Sequence, residues 1–245
     1  MSLNLPTPAV ALAIGAHPDD VEFGGGATLA KWSAAGTVVH HLICTDGSKG
    51  SWDPTTDTAA LVVIRQTEQR AAANALGARG ECVFLGWPDG ELDSGLRQRW
   101  EVAHWIRKLQ PTVVLGHDPW KRYRLHPDHR HAGLLTVEGI VAARDPHFFP
   151  EQAIPHHRPG ALLLFEADEP DHVEDVTGFA DAKLAALHAH TSQLLSTMGI
   201  DEGASLHEVE RQRQAFDARI LARLADHGAD AGVTHAETFK LLTDL

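Results

Sequence analysis

Two short segments of this chain concentrate residue types that bind metals and move protons. The first is Gly15-Ala16-His17-Pro18-Asp19-Asp20-Val21-Glu22 and the second is His126-Pro127-Asp128-His129-Arg130-His131. Proline holds φ near the helical value and suits the first helical position, so each His-Pro-Asp reads as the start of a helix. That geometry sets His17 and Asp20 one turn apart on one face, and does the same for His126 and His129. Two imidazoles and one carboxylate drawn from these segments form a set suited to Zn²⁺. Three protein ligands leave a position open for water, as a catalytic rather than a structural site requires, and a bound metal lowers the pKa of that water toward neutrality. Asp19 and Asp20 are adjacent carboxylates that repel each other, a cost that a cation relieves. The expectation is that one of them holds the metal while the other stays free as a general base.

Such a site needs both segments on the same edge of the fold. Nearly continuous apolar runs at residues 10–16, 38–44, 82–85, 112–115 and 161–165 read as strands covered on both faces. Stretches of helical period alternate with them, at 25–35, 59–76, 96–109, 127–143, 180–196 and 207–226. In the third, Trp100, Ala103, Trp105, Ile106 and Leu109 trace an apolar stripe, and Gly36, Gly77 and Pro111 fall where helices should stop. This alternation predicts an α/β fold: a Rossmann-like, doubly wound, mostly parallel sheet with flanking helices, spanning 1–245 as a single domain. Ligands bind such sheets at the carboxyl ends of the strands. The two segments follow the strands at 10–16 and 112–115, so they should face each other. Residues 144–160, rich in Pro and His, read as a long loop.

Composition narrows the function class. With 43% hydrophobic and 22% charged residues the chain lies in the globular range. The net charge is -12, from 33 acidic against 21 basic residues, and no Lys/Arg cluster forms a phosphate-tracking face, which argues against nucleic acid and an anionic membrane as partners. The start shows no charged segment followed by an apolar one, and no apolar run is long enough to span a bilayer, so a cytoplasmic protein is expected. Cys44 and Cys82, the two cysteines, each lie in a predicted strand, which excludes a disulfide framework and a Cys-based zinc site. No G-x-S-x-G elbow or P-loop occurs. Gly24-Gly25-Gly26 does not have dinucleotide-binding spacing, and polar His-Pro-Asp-Asp occupies the turn where a pyrophosphate needs bare backbone. Two rivals stay open. Two His and one carboxylate also make the facial triad of Fe(II) oxygenases, and a catalytically silent metal or sugar-binding protein is the other, against which an unligated Asp19 argues.

Ala16-His17-Pro18-Asp19-Asp20-Val21-Glu22, together with His126-Pro127-Asp128-His129 and a trailing Gly133, resembles the PIG-L/LmbE family of zinc-dependent N-acetylglucosaminyl de-N-acetylases. Thr45-Asp46-Gly47, Arg65 with Glu68, Gly86-Trp87-Pro88-Asp89-Gly90, and the stretch from Lys183 through His190-Thr191-Ser192-Gln193 extend the resemblance over most of the chain. It implies an LmbE-like fold with His17, Asp20 and His129 as metal ligands. It makes Asp19 the general base and His126 the stabiliser of the tetrahedral intermediate, tuned by Asp128. The implied reaction removes an N-acyl group, in the first place acetyl, from a small N-acetylglucosamine-containing molecule, with Zn²⁺, or alternatively Fe²⁺, as cofactor. A thiol-conjugate amidase of the same family is the alternative substrate reading, and a homo-oligomer is compatible. Either Asp19 or a protonated His126 supplies the proton to the departing amine.

Further residues carry two readings each. Arg65 is a substrate contact by the resemblance, whereas Arg65 and Glu68 three apart on a helix also fit an exposed ion pair. Asp46 and Asp89 follow strand ends beside glycine, as sugar ligands or as turn residues; the turn is preferred for Asp89. Glu22 is placed with the substrate-binding candidates, and also suits orienting His17 or favouring an early helical turn. Tyr123 stands at an offset unlike that of the family tyrosine, and His190 is a candidate for the pocket wall.

Overall fold

The computed structural model describes residues 1–245, and in it the apolar runs lie side by side in one sheet of eight strands. These are β1 (Ser2–Leu3), β2 (Val10–Gly15), β3 (Val38–Thr45), β4 (Cys82–Trp87), β5 (Val113–His117), β6 (Ala161–Phe165), β7 (His172–Asp175) and β8 (Ala236–Leu242), in the order β1-β7-β8-β6-β5-β2-β3-β4. All neighbours are parallel except β8, which runs antiparallel to both β6 and β7. Six α-helices flank them: α1 (Asp20–Ala34), α2 (Thr58–Ala75), α3 (Leu96–Leu109), α4 (Pro127–Arg144), α5 (Ala180–His188) and α6 (Leu206–Ala231). No helix is long and apolar enough to cross a membrane.

Successive side chains of a strand point to opposite faces, and here both faces are apolar. Leu12 and Ile14 of β2, Leu42 of β3, Val114 of β5 and Leu162 and Leu164 of β6 join Val102, Ala103 and Ile106 of α3 and Leu135 and Ile140 of α4. Their neighbours Ala11, Ala13, Val39, Ile43, Leu115, Leu163 and Phe165 join Leu29 and Trp32 of α1, Ala72 of α2 and Ala186 of α5 on the other face. A third cluster, with Phe216, Ile220 and Leu224, packs α6 outside α5. The chain moves from β2 outward to β3 and β4, then returns to β5 on the opposite side of β2. The strand order therefore reverses between β2 and β5, where a doubly wound sheet opens a crevice.

Three expectations are corrected. Helix α1 begins at Asp20 instead of residue 25, so the triple glycine lies inside it, with Gly25 non-helical at φ -148° and ψ 21°. Close approach explains the glycine at 24: a Cβ there would lie 2.5 Å from Cγ of Phe165 on β6. Glu237 of β8 accepts from the amides of Ala27 and Thr28 just past the irregular residue. The helix expected over 180–196 stops at His188 and gives way to a 3₁₀ turn (Thr191–Gln193) and a π turn (Leu194–Met198). Glu68 draws this segment off the helical path by accepting from Thr191 Oγ1, Ser192 N and Ser192 Oγ. Strands β1, β7 and β8 lie outside the five apolar runs. Two of them bury carboxylates, Glu174 on β7 and Glu237 on β8, whose partners include Lys31 and Lys183 respectively. A pattern built on apolar runs passes over such strands.

Candidate metal centre and catalytic cleft

The carboxyl ends of β2 and β5 and the first turn of α4 meet at the crevice. At the end of β2 the chain turns through Asp19, which has φ 105°. This left-handed conformation is rare for a residue with a Cβ and marks a position held by its surroundings. Pro18 therefore precedes the helix, contrary to its expected place as first helical residue. Asp20 still folds back on His17, its Oδ2 accepting from His17 N at 2.7 Å and lying 3.3 Å from His17 Nδ1. On α4 the expected geometry holds: His126 is the N-cap, its Nδ1 accepting from Asp128 N at 3.3 Å, and Pro127 opens the helix.

Asp20 is the hub. Its carboxylate faces three imidazoles: His17, His117 Nε2 at 3.2 Å and His129 Nε2 at 3.3 Å. Burial alone would raise its pKa, but electrostatic interaction with the nearby His129 and His117 rings and the bonds from His117 and His17 hold it well below the usual carboxylate range. His129 is pushed down to about 4, first by burial, so its imidazole is neutral. The other nitrogen of His17, Nε2, meets Asp128 Oδ2 at 3.1 Å and Asp89 Oδ1 at 3.2 Å. Burial disfavours a charged His17, yet the bonds to Asp128, Asp20 and Asp89 outweigh it and raise the group well above its ordinary value.

His17, Asp20 and His129 can bring one donor atom each within 4.8 Å of one another. The chemistry of the set fits a divalent cation. Ligation requires an ionised carboxylate and neutral imidazoles, and Asp20 and His129 already hold those states. His17 carries a proton here in answer to three carboxylates, a charge that a cation between His17 Nδ1 and Asp20 would replace, leaving Nε2–H to donate to Asp128. That is the carboxylate–histidine arrangement usual behind a metal ligand. Two other groups share these residues. In the group of His117, His129 and Glu166, the last two already hold the Arg124 guanidinium, whose Nη1 lies 2.7 Å from Glu166 and 2.9 Å from His129 Nδ1, so that place is taken by a cation. In the group of His17, Asp89, His126 and Asp128, the Asp128 carboxylate accepts from Gly90 N at 2.6 Å and Leu92 N at 3.2 Å.

Asp19 stands beside this set and outside it. It is 6% exposed, and burial, with the charge of Asp20, raises its pKa to about 6 against the pull of Arg65. Two residues one turn apart on α2 hold it. Gln69 Oε1 accepts from Asp19 N at 3.0 Å. Arg65 Nη2 donates to Pro18 O at 2.6 Å and lies 3.5 Å from Asp19 Oδ2, while its Nη1 donates to Gly47 O. Arg65 and Glu68 are both buried and do not form the exposed pair that their spacing allows.

Asp128 does not turn its carboxylate on His126; it bonds to His17. Asp46 is a turn residue, its Oδ1 accepting from Ser48 N and Asp89 N, and it does not line the cleft. Asp89 does stand in a turn, which Glu91 N closes by donating to Pro88 O at 3.1 Å, and its carboxylate also reaches His17 and lines the cleft. Glu22 contacts neither His17 nor the cleft: it is fully buried, accepts from Gln69 Nε2 at 2.7 Å and lies 3.5 Å from His190 Nε2. His190 is likewise buried behind the wall, and Tyr123 is 85% exposed. The sequence reading missed Gln69, His117, Arg124 and Glu166. His117 and Glu166 sit at the carboxyl ends of β5 and β6, a position that alone could have marked them; Gln69 and Arg124 leave no comparable trace.

The cleft over these residues has a volume of about 530 Å³ and is lined by Asp19, His126, Arg65, Trp52 and Arg223 among others. The sequence profile of the GlcNAc-PI de-N-acetylase family matches residues 12–140. The chain is 35% identical over 185 residues to a diacetylchitobiose deacetylase of Thermococcus kodakarensis, covering 74% of this chain and 69% of that one. It is 30% identical over 243 residues to a 1D-myo-inositol 2-acetamido-2-deoxy-alpha-D-glucopyranoside deacetylase of Streptomyces avermitilis, covering 75% and 82%. Among solved structures, N,N'-diacetylchitobiose deacetylase from Pyrococcus horikoshii superposes with a TM-score of 0.83 at 28% identity, over 96% of this chain and 84% of that one.

Proposed function

Because the chain belongs to the PIG-L family of GlcNAc-PI de-N-acetylases, we propose that it hydrolyses the acetamide of a small N-acetylglucosamine-containing molecule to acetate and a free amine. The observation that carries this reading is Asp19: a buried carboxylate with its pKa raised to about 6, beside a His17–Asp20–His129 donor set and not part of it. A pure binding site has no use for such a group, whereas a general base works best with a pKa near the operating pH.

His17 through Nδ1, Asp20, and His129 through Nε2 would hold the ion, Zn²⁺ in preference to Fe²⁺. When bound, the ion supplies a Lewis acid that lowers the pKa of water and polarises the acyl carbonyl. Asp19 takes the proton from the attacking water and returns it to the departing amine. His126 stabilises the oxyanion as a neutral donor. Its Nδ1 accepts the helix-capping bond, so the ring proton is on Nε2, and burial and the charge of His17 hold its pKa below the ordinary value. A hydrogen bond from a fixed donor is enough for that role, and it leaves proton delivery to Asp19. Arg65 and Gln69 keep the Asp19 carboxylate aimed by clamping its backbone, which makes Arg65 a positioning residue in place of a direct substrate contact. Residues 1–245 are read as one catalytic domain, a view supported by the entry of β1 and β8, from opposite ends of the chain, into the same sheet.

The test is acetate release from N-acetylglucosamine, N,N'-diacetylchitobiose and an N-acetylglucosaminyl inositol, with and without a chelator. Acetate and amine should appear in equal amounts, disappear with chelation and return with added Zn²⁺, with no dependence on oxygen. Absence of acetate from every N-acetylated sugar by the zinc-loaded protein would overturn the reading.

A further inference from the structure

The loop between β3 and α2 is anchored by buried side chains on both sides. Arg65 Nη1 donates to Gly47 O at 2.9 Å, and Gln193 Nε2 donates to Gly50 O at 3.1 Å, with Ser196 Oγ donating to the same carbonyl at 3.3 Å. The π turn that carries Ser196 is an uncommon conformation that tends to occur at functional sites. Two residues beyond Gly50, Trp52 points out of this fixed backbone with 83% of its surface exposed, its Nε1 within 3.5 Å of Ser196 O. Trp52 lines the same cleft as Asp19 and His126, and it is one of two hydrophobic residues among the eighteen that do so. Folding thus leaves a large flat apolar surface in water, on a rigid support, in an otherwise polar cleft.

We propose that Trp52 is the stacking platform for the ring attached to the N-acetylglucosamine, which makes it a specificity-determining residue of this chain; this rests on the function proposed above. The occupant must offer an apolar face to the indole and hydrogen-bonding groups around its edge. A pyranose does both: its C–H face covers the ring, while its hydroxyls meet Ser196, Thr197 and Gln193, which line the cleft beside Trp52. A rigid aromatic body with little conformational freedom to lose is well suited to such a contact.

The test compares wild type, Trp52→Ala and Trp52→Phe on N-acetylglucosamine and N,N'-diacetylchitobiose. Trp52→Ala should raise KM for the disaccharide about tenfold, the scale of one lost aromatic contact, with kcat unchanged and the monosaccharide kcat/KM within about twofold. Trp52→Phe should recover most of the loss. Because Trp52 is exposed, an unchanged Tm is expected to confirm folding. Calorimetric titration with chitobiose and glucosamine, which requires no turnover, should show the same selective loss in Kd and separates this proposal from the deacetylase reading. Equal effects on one ring and two, no effect on either, or no binding of chitobiose by the wild type would overturn it.

Discussion

Replacing Asp19 by Asn removes one ionisable group from the cleft and preserves the shape of the side chain. Burial lifts this carboxyl from its ordinary 3.8 to about 6, so holding it ionised in the folded, metal-free protein costs about 3 kcal/mol of stability at neutral pH. The sign follows from the direction. The penalty is absent below the unfolded pKa, grows as pH rises from 3.8 to about 6, and is fully present above that. Asparagine resembles the neutral acid, so Asp19→Asn with metal removed should be more stable than wild type at pH 7.5, by up to about 3 kcal/mol. For a chain of this size that raises Tm by roughly 6–12 °C. At pH 4 the gain should vanish. Activity should move the opposite way: loss of the general base lowers kcat by about 10²–10⁴-fold, with bound zinc unchanged by mass spectrometry. The wild-type kcat/KM should fall about tenfold per pH unit on the acid limb of its profile, as the base protonates. Scanning calorimetry at the two pH values, metal analysis and steady-state kinetics cover all of these outcomes. If Asp19→Asn instead lost its metal and regained full activity with excess zinc, or was destabilised at pH 7.5, the roles of Asp19 and Asp20 would be reversed and the reasoning refuted.

His129→Ala should empty the metal site and reduce acetate release by at least about 10³-fold, with zinc content read directly by mass spectrometry. Gln69→Leu removes the acceptor for the buried Asp19 N–H, a loss of about 1–3 kcal/mol in stability. It should also lower kcat by about tenfold or more while KM and metal content hold, because the base is displaced and the binding surface is not. Gly24→Ala should destabilise the protein by about 1–3 kcal/mol in chemical denaturation, since its Cβ would lie 2.5 Å from Phe165. Phe165→Leu in the same chain should recover part of that loss.

The five expected strands each appear within a few residues of their predicted bounds, because buried parallel strands are apolar on both faces and leave an unbroken run in the sequence. The α4 cap was legible for a similarly local reason, a histidine immediately before a proline. So was the meeting of His17, Asp20 and His129, each close to a proline-marked turn at a predicted strand or helix end, whose donor atoms lie within 4.8 Å of one another. Strands β7 and β8 were hidden because Glu174 and Glu237 occupy inward positions and are satisfied by lysines from distant helices.

What the sequence determined by itself was the local part of this protein: which segments are strands, which turns carry imidazoles and carboxylates, and on which edge they gather. The pairing of side chains within that edge was decided by tertiary structure. Asp128 lies 111 residues from His17, and Gln69 lies 50 from Asp19; no local pattern records either pairing. The same holds for the recruitment of Asp89 and His117, and for the exclusion of Glu22 and Asp46. A hydrogen-bonding side chain has several partners open to it, and the folded chain selects among them by bringing one within 3 Å. The surrounding imidazoles then hold Asp20 ionised against the effect of burial, while burial raises the pKa of its neighbour Asp19 to about 6.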